Sequence, residues 1–288
     1  MQLKQSLTSA IDRLEAADVG SPRMNAEVLL MFVLGVNRAY LYAHPERELT
    51  AEEETRYENV LAQRATGMPS QYITGHQEFW GLDFVVSPAV LIPRPETEHL
   101  VEKALALAAR FAHPRIVDVG TGSGAIAVAL ARHLSQAQIA AVDISAAALD
   151  IARENAGRNA VSDRIRFLLG DLLAPVRDER FDVVVSNPPY VPVVDRESLS
   201  VEVREHEPAL ALFAGEDGLD AYRRLIPEAF EVVEPGGYLL LEIGFGQSAA
   251  VAALLTQAGF EGTEFIPDLQ GIPRVVYGHR EKQVLRLR

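Results

Sequence analysis

The sequence predicts an α/β protein: a doubly wound, mostly parallel sheet, with a small all-helical N-terminal domain joined to it by a β-hairpin. Three observations carry this. From about residue 91, short β-branched runs alternate with helical stretches, the pattern of a parallel sheet with helices on its faces. Residues 1 to about 74 show helical periodicity throughout. Between them, Phe79-Trp80-Gly81-Leu82-Asp83-Phe84-Val85-Val86 sets β-type residues around a glycine. The expected division is therefore 1–74 helical, 75–90 hairpin linker and 91–288 α/β domain.

Each element has a local reason. Leu3, Leu7, Ile11 and Leu14 recur at spacings of three and four, which places them on one helix face. Ser21-Pro22 reads as an N-cap followed by proline at the first helical position, and Gly35 as the stop. Thr50-Ala51-Glu52-Glu53 matches a capping box, and Gly67 with Pro69 closes that helix. In the second domain Leu100 to Arg110 reads as a helix. Strands are expected at Arg115 to Val119, Ile139 to Val142, Ile165 to Leu169 and Phe181 to Ser186. Helices are expected at Ala125 to Leu134 and Ala146 to Asn159. Asp220 to Val233 is helical, and Gly236-Gly237 turns into the strand Tyr238 to Ile243. The helix Gln247 to Ala258 and the strands Thr263 to Pro267 and Arg274 to Gly278 complete the chain.

Composition narrows the function classes. The net charge is −13, which argues against a large basic surface for phosphate backbones, so no direct nucleic-acid partner is expected. There are no cysteines, which removes disulfides and thiolate metal sites, and the seven histidines lack metal-ligand spacing. No metal site is expected. No run approaches the roughly 18 apolar residues of a membrane span, and no signal peptide is visible. A soluble, cytoplasmic, monomeric protein without a membrane partner is the expectation.

The candidate site lies at strand ends. Gly120-Thr121-Gly122-Ser123-Gly124 follows the first strand of the sheet and opens a helix, where glycines let the backbone turn sharply and approach a ligand. Its spacing also satisfies the degenerate dinucleotide fingerprint, so the loop by itself leaves the cofactor open. Asp143, about 20 residues on, ends the next strand, where an acidic side chain accepts from ribose hydroxyls. Asp171, after the third strand, is placed to accept from an adenine amino group, with Leu172 packing on the ring. Asn187-Pro188-Pro189-Tyr190 follows the fourth strand. Two prolines end a strand and stiffen the loop, which then carries one amide and one aromatic ring. Such a loop suits a substrate held by hydrogen bonds and flanked by an apolar surface. In a doubly wound sheet the first and fourth strands are neighbours at the switch point, so both loops face one crevice.

These residues resemble the S-adenosylmethionine-dependent methyltransferases. Asn-Pro-Pro-Tyr is typical of members that methylate a planar nitrogen, whether an exocyclic base amine or a side-chain amide. Further stretches resemble the protein-glutamine N5-methyltransferases of the HemK/PrmC type: Gln71-Tyr72-Ile73-Thr74-Gly75, Leu91-Ile92-Pro93-Arg94-Pro95-Glu96-Thr97-Glu98, Ala211 to Leu219 and Gly271-Ile272-Pro273-Arg274-Val275-Val276. The resemblance spans essentially the whole chain. It implies a Rossmann-like methyltransferase sheet and S-adenosylmethionine as cofactor, with S-adenosylhomocysteine as product. It also implies the glutamine of the Gly-Gly-Gln loop in class I peptide chain release factors as methyl acceptor. A glutamine of a ribosomal protein is the close alternative, and an adenine amino group of nucleic acid a more distant one. A nucleotide-binding dehydrogenase leaves Asn187-Pro188-Pro189-Tyr190 without a purpose, and a non-catalytic binding module implies that Asn187→Ala leaves activity unchanged.

On this reading Gly120 to Gly124, Asp143, Asp171, Leu172 and Asn187 bind the cofactor, and Asn187 to Tyr190 bind the substrate amide. The lone pair of an amide nitrogen is delocalised, so it is a poor nucleophile. The Asn187 side-chain oxygen and the Pro188 carbonyl each accept one amide N–H, and Tyr190 flanks the flat group. Arg94 and Glu96 read as either pocket-lining residues or paired surface charges, the structural role favoured, Glu242 as either a crevice residue or a cap, and Trp80 as a hairpin anchor.

Overall fold

The computed structural model describes residues 1–282; the last six residues of the expected second domain, 283–288, lie outside them. The described chain divides into two compact units, Met1–His76 with Ser200–His206, and Gln77–Leu199 with Glu207 onward. The sequence pattern gave no sign that Ser200–His206, set in the second domain by position, groups with the first unit.

The first unit is helical: α1 (Leu3–Ala16), α2 (Pro22–Leu34), α3 (Arg38–Ala43), α4 (Ala51–Ala65) and α5 (Ser70–Thr74). Leu3 and Leu14 of α1 are fully buried with Leu29, Leu30, Tyr57 and Leu61, and Leu7 and Ile11 pack at the edge of that core. The Thr50–Glu53 capping box forms with both hydrogen bonds present. Ser21 differs from its expected role. It has φ of 52° and makes no side-chain cap, although α2 does begin at Pro22. The guanidinium of Arg64 is buried. Its Nε donates to Asn25 Oδ1 at 2.7 Å, Nη1 to the Met68 carbonyl at 3.2 Å and Nη2 to Glu202. A buried charge needs such full pairing, and the Glu202 end of it ties Ser200–His206 to this unit.

In the second unit, β1 (His76–Phe79) and β2 (Leu82–Val85) form the hairpin. Its two-residue turn, Trp80-Gly81, has both φ values positive, the type I′ geometry that matches strand twist. Phe79 and Phe84 are buried edge to face, and Trp80 packs on the same core with its ring against His133. The remaining elements are α6 (Thr97–Ala108), β3 (Arg115–Val119), α7 (Ala125–His133), β4 (Gln138–Asp143), α8 (Ala146–Arg158), β5 (Ile165–Leu169) and β6 (Phe181–Ser186). They are followed by α9 (Asp220–Val232), β7 (Val233–Glu242), α10 (Ser248–Ala258), β8 (Glu261–Pro267) and β9 (Pro273–His279).

The seven-stranded sheet has the order β5-β4-β3-β6-β7-β9-β8, and β9 runs antiparallel to both its neighbours. Helices α6, α7 and α8 cover one face and α9 and α10 the other, each burying an aliphatic layer. The expected turn at Gly236-Gly237 falls inside β7 instead. Phe181 pairs with Val233 while Val183 pairs with Tyr238, so the glycines form a bulge that lets the strand start early. Strands β3 and β6 are parallel neighbours, with Val119 opposite Ser186. The Ser186 hydroxyl donates to the Val119 carbonyl at 2.7 Å. That bond fixes together the two strand ends from which the glycine loop and the tetrapeptide emerge.

Candidate active site

A cavity of about 410 Å³ opens at the carboxyl ends of β3, β4, β5 and β6, the ligand edge of a doubly wound sheet. Its walls include Gly120 to Ser123, Asp143, Asp171, Leu172, Asn187 and Pro189. The structure thus brings the expected residues of four separate loops to one place. Gly124, Pro188 and Tyr190 are not among its lining residues.

The glycine loop is held by backbone bonds to the next strand and by carboxylate side chains. Gly120 and Thr121 donate their N–H groups to the Val142 carbonyl at 2.9 and 3.0 Å. Gly122 N–H donates to Asp143 Oδ2 at 2.8 Å, and Ser145 N–H to Oδ1 at 2.9 Å. Asp143 therefore shapes the loop besides facing the cavity, and each oxygen keeps acceptor capacity for a ligand hydroxyl. Gly122 has φ of 54°, and a Cβ there would meet no protein atom within 4 Å. A side chain at that position would instead be strained and would project into ligand space. Asp171 sits less simply than expected: its Oδ2 accepts from Arg224 Nη2 at 2.5 Å, so one oxygen is already engaged. Leu172 adopts φ of 47°, the left-handed region, at the cavity wall.

The tetrapeptide is held by distant side chains. Asn187 Nδ2 donates to Thr97 Oγ1 at 3.1 Å, and the Thr97 hydroxyl donates to Glu242 Oε2 at 2.6 Å. The Tyr190 hydroxyl donates to Glu242 Oε1 at 3.2 Å, and its ring packs on the buried layer beneath α9 and α10. Tyr190 is thereby anchored at both its ring and its hydroxyl. The Tyr190 carbonyl accepts from Gln247 Nε2 at 3.0 Å, and Val191 bridges to the strand-like segment at Phe213. Gly218 has φ of 74°, and a Cβ there would fall 2.3 Å from the Tyr190 carbonyl, so the segment can lie this close only with glycine.

Two fully buried carboxyls stand under the two loops. Asp118 lies beneath the glycine loop; its Oδ2 accepts from the Thr121 hydroxyl at 2.6 Å and Ala127 N–H at 3.2 Å. Burial pushes it up to about 7 against those hydrogen bonds, and the charge of Asp143 adds to the rise. Glu242 is likewise pushed up to about 7 by burial; Thr97, Tyr190 and Arg274 oppose the rise and Glu96 adds to it.

A family model described as the PrmC N-terminal domain matches residues 5–75, and one described as the methyltransferase small domain matches 97–203. The release factor glutamine methyltransferase of Koribacter versatilis (strain Ellin345) is 50% identical over 281 residues, covering 97% of this chain and 99% of that protein. The chain belongs to the release factor glutamine methyltransferase family. The family member from Moorella thermoacetica is 45% identical over 284 residues, covering 98% of this chain and all of its own. The fold of a methyltransferase from Pyrococcus furiosus agrees, with a TM-score of 0.52 at 20% identity, covering 70% of this chain and 90% of that one.

Sequence reasoning missed several residues that hold the two loops. Asp118 carries a readable signal, a charge inside the apolar strand Ile116-Val117-Asp118-Val119, where burial without purpose is costly. Thr97 and Gln247 carry none, since their partners lie far off in sequence. Arg94, expected either to line the pocket or to pair as a charge, pairs with buried Glu207 and also lines the cavity.

Proposed function

We propose that this methyltransferase transfers a methyl group from S-adenosylmethionine to the side-chain amide N5 of the glutamine in the Gly-Gly-Gln motif of class I peptide chain release factors. The observation that carries the reading is end-to-end similarity to release factor glutamine methyltransferases, with Asn187 standing at the wall of a cavity that also holds the glycine loop.

The residues present fit that cofactor. The cavity lies in the range of small-molecule sites, about 300–1,000 Å³. The open left-handed glycines admit close approach, Asp143 offers acceptors for ribose hydroxyls, and exposed Ile144 with half-buried Leu172 gives an apolar wall for a base. When bound, S-adenosylmethionine supplies an electrophilic methyl group. The chain's own part is to hold the acceptor. Asn187 Oδ1 and the Pro188 carbonyl each take one N–H of the glutamine amide, which orients the NH2 group and favours charge developing on its nitrogen. Tyr190, tied to Glu242, and Gln247, bonded to the Tyr190 carbonyl, keep that loop in place. No general base is required, because the nitrogen becomes strongly acidic once methylated.

The test incubates the purified protein with labelled S-adenosylmethionine and a class I release factor, beside its Gln→Ala variant at the Gly-Gly-Gln motif. Label on the first and none on the second is the expected result. Equal label on both, or label on a ribosomal protein instead, contradicts the reading.

A further inference from the structure

The proposed function needs Asn187 to show the substrate its amide oxygen and not its NH2 group. The two ends of an asparagine amide are nearly alike in shape, so something must choose between two orientations. Thr97 and Glu242 make that choice. Thr97 has one hydroxyl proton, and at 2.6 Å it goes to Glu242 Oε2. Toward Asn187 the hydroxyl can then only accept, which draws Nδ2 to it at 3.1 Å and leaves Oδ1 for the cavity. The second carboxylate oxygen accepts from Tyr190, so Glu242 acts as an acceptor on both sides. Thr97 is 4% and Glu242 2% exposed, so water does not compete for these bonds.

We propose that Thr97 and Glu242 are positioning residues that set Asn187 to accept a hydrogen bond, and so select an N–H-bearing nitrogen as the methyl acceptor. The proposal rests on the amide-methylating function above. It also has a direction. Protonated Glu242 donates to Thr97, whose own proton then turns to Asn187 Oδ1, and the amide presents the wrong end. The groups that face Glu242 are Thr97 from α6, Glu96 just before it, Tyr190 after β6 and Arg274 from β9, while the Tyr222 hydroxyl of α9 donates to the Glu242 backbone carbonyl. Burial places the carboxyl near 7, so the reversal falls within the range an assay can reach.

The experiment measures single-turnover methyl transfer to the release factor at saturating S-adenosylmethionine across pH 5.5 to about 9, for the wild type and for Thr97→Val, Thr97→Ser and Glu242→Gln. Binding of the methyl donor is followed separately by calorimetry. The wild-type rate should fall on acidification with a midpoint near 7. Thr97→Val should lose about tenfold in rate with donor affinity unchanged, and Thr97→Ser should return to within about threefold. Glu242→Gln should abolish the acid limb. A Thr97→Val rate within about twofold of wild type, or an acid limb that survives in Glu242→Gln, overturns the proposal. If Thr97→Val does not fold, the Glu242→Gln profile decides. A wild type that binds the donor but never labels the release factor sinks the functional reading itself, an outcome distinct from active variants that ignore Thr97.

Discussion

The glycine loop and the Asn187–Tyr190 loop face the same cavity but differ in how far along the chain their anchors lie. The first is held mostly from close by in the chain: Gly120 and Thr121 on the Val142 carbonyl, Gly122 on the Asp143 side chain and the Thr121 hydroxyl on Asp118, with Asn155 adding one bond to the Ser123 carbonyl. The second is held by side chains from far along the chain, with Thr97 90 residues before Asn187 and Glu242 52 residues after Tyr190. A cofactor that never changes can be met by a fixed backbone cradle, whereas a reacting amide must be oriented to a fraction of an ångström. Orientation needs a supporting shell of side chains.

If the two halves do separate work, substitutions should split cleanly. The largest effect is expected at Asn187→Ala: turnover should fall by about a hundred- to a thousandfold, as for loss of a key transition-state hydrogen-bond partner, while donor affinity stays near normal. Gly122→Val should do the converse. It forces a β-branched residue to a φ of 54° and fills ligand space, so donor affinity should weaken about tenfold or more with a nearly unchanged saturated rate.

A smaller effect sharpens the comparison through pH. Asp118 under one loop and Glu242 under the other have folded values of about 7, against ordinary values of 3.8 and 4.5. A raised carboxyl makes the native state take up protons. Its stabilising share is thus complete below about pH 4 and is lost as pH rises through 7. Thermal melts should give a higher Tm at pH 5 than at pH 8, and Glu242→Gln should narrow that gap without closing it, since Asp118 remains. A gap unchanged in Glu242→Gln would show that Glu242 ionises normally. The least effect is expected at Asp171→Asn, a two- to threefold loss of donor affinity, because Arg224 already engages one of its oxygens. A loss as large as that of Gly122→Val would make Asp171 a principal ligand.

The same contrast explains what the sequence disclosed. The glycine loop, Asp143 and the strand–helix alternation are local patterns, and the switch-point rule places Asn187 beside them. The capping box at Thr50 was legible for the same reason. The anchors of Asn187 were not, because nothing in Pro95-Glu96-Thr97 says that its hydroxyl lies between an asparagine and a buried glutamate. Ser21 misleads because its backbone is left-handed rather than extended as an N-cap's usually is, and its side chain makes no cap. The Gly236-Gly237 pair misled because a bulge and a turn use the same residues.

The most direct test of the division titrates S-adenosylmethionine against the single-turnover rate of release-factor methylation for Asn187→Ala and Gly122→Val side by side. A collapsed maximal rate with an unchanged half-saturating concentration is expected in the first, and a raised half-saturating concentration with a nearly intact maximal rate in the second. Both substitutions altering the same parameter would contradict it.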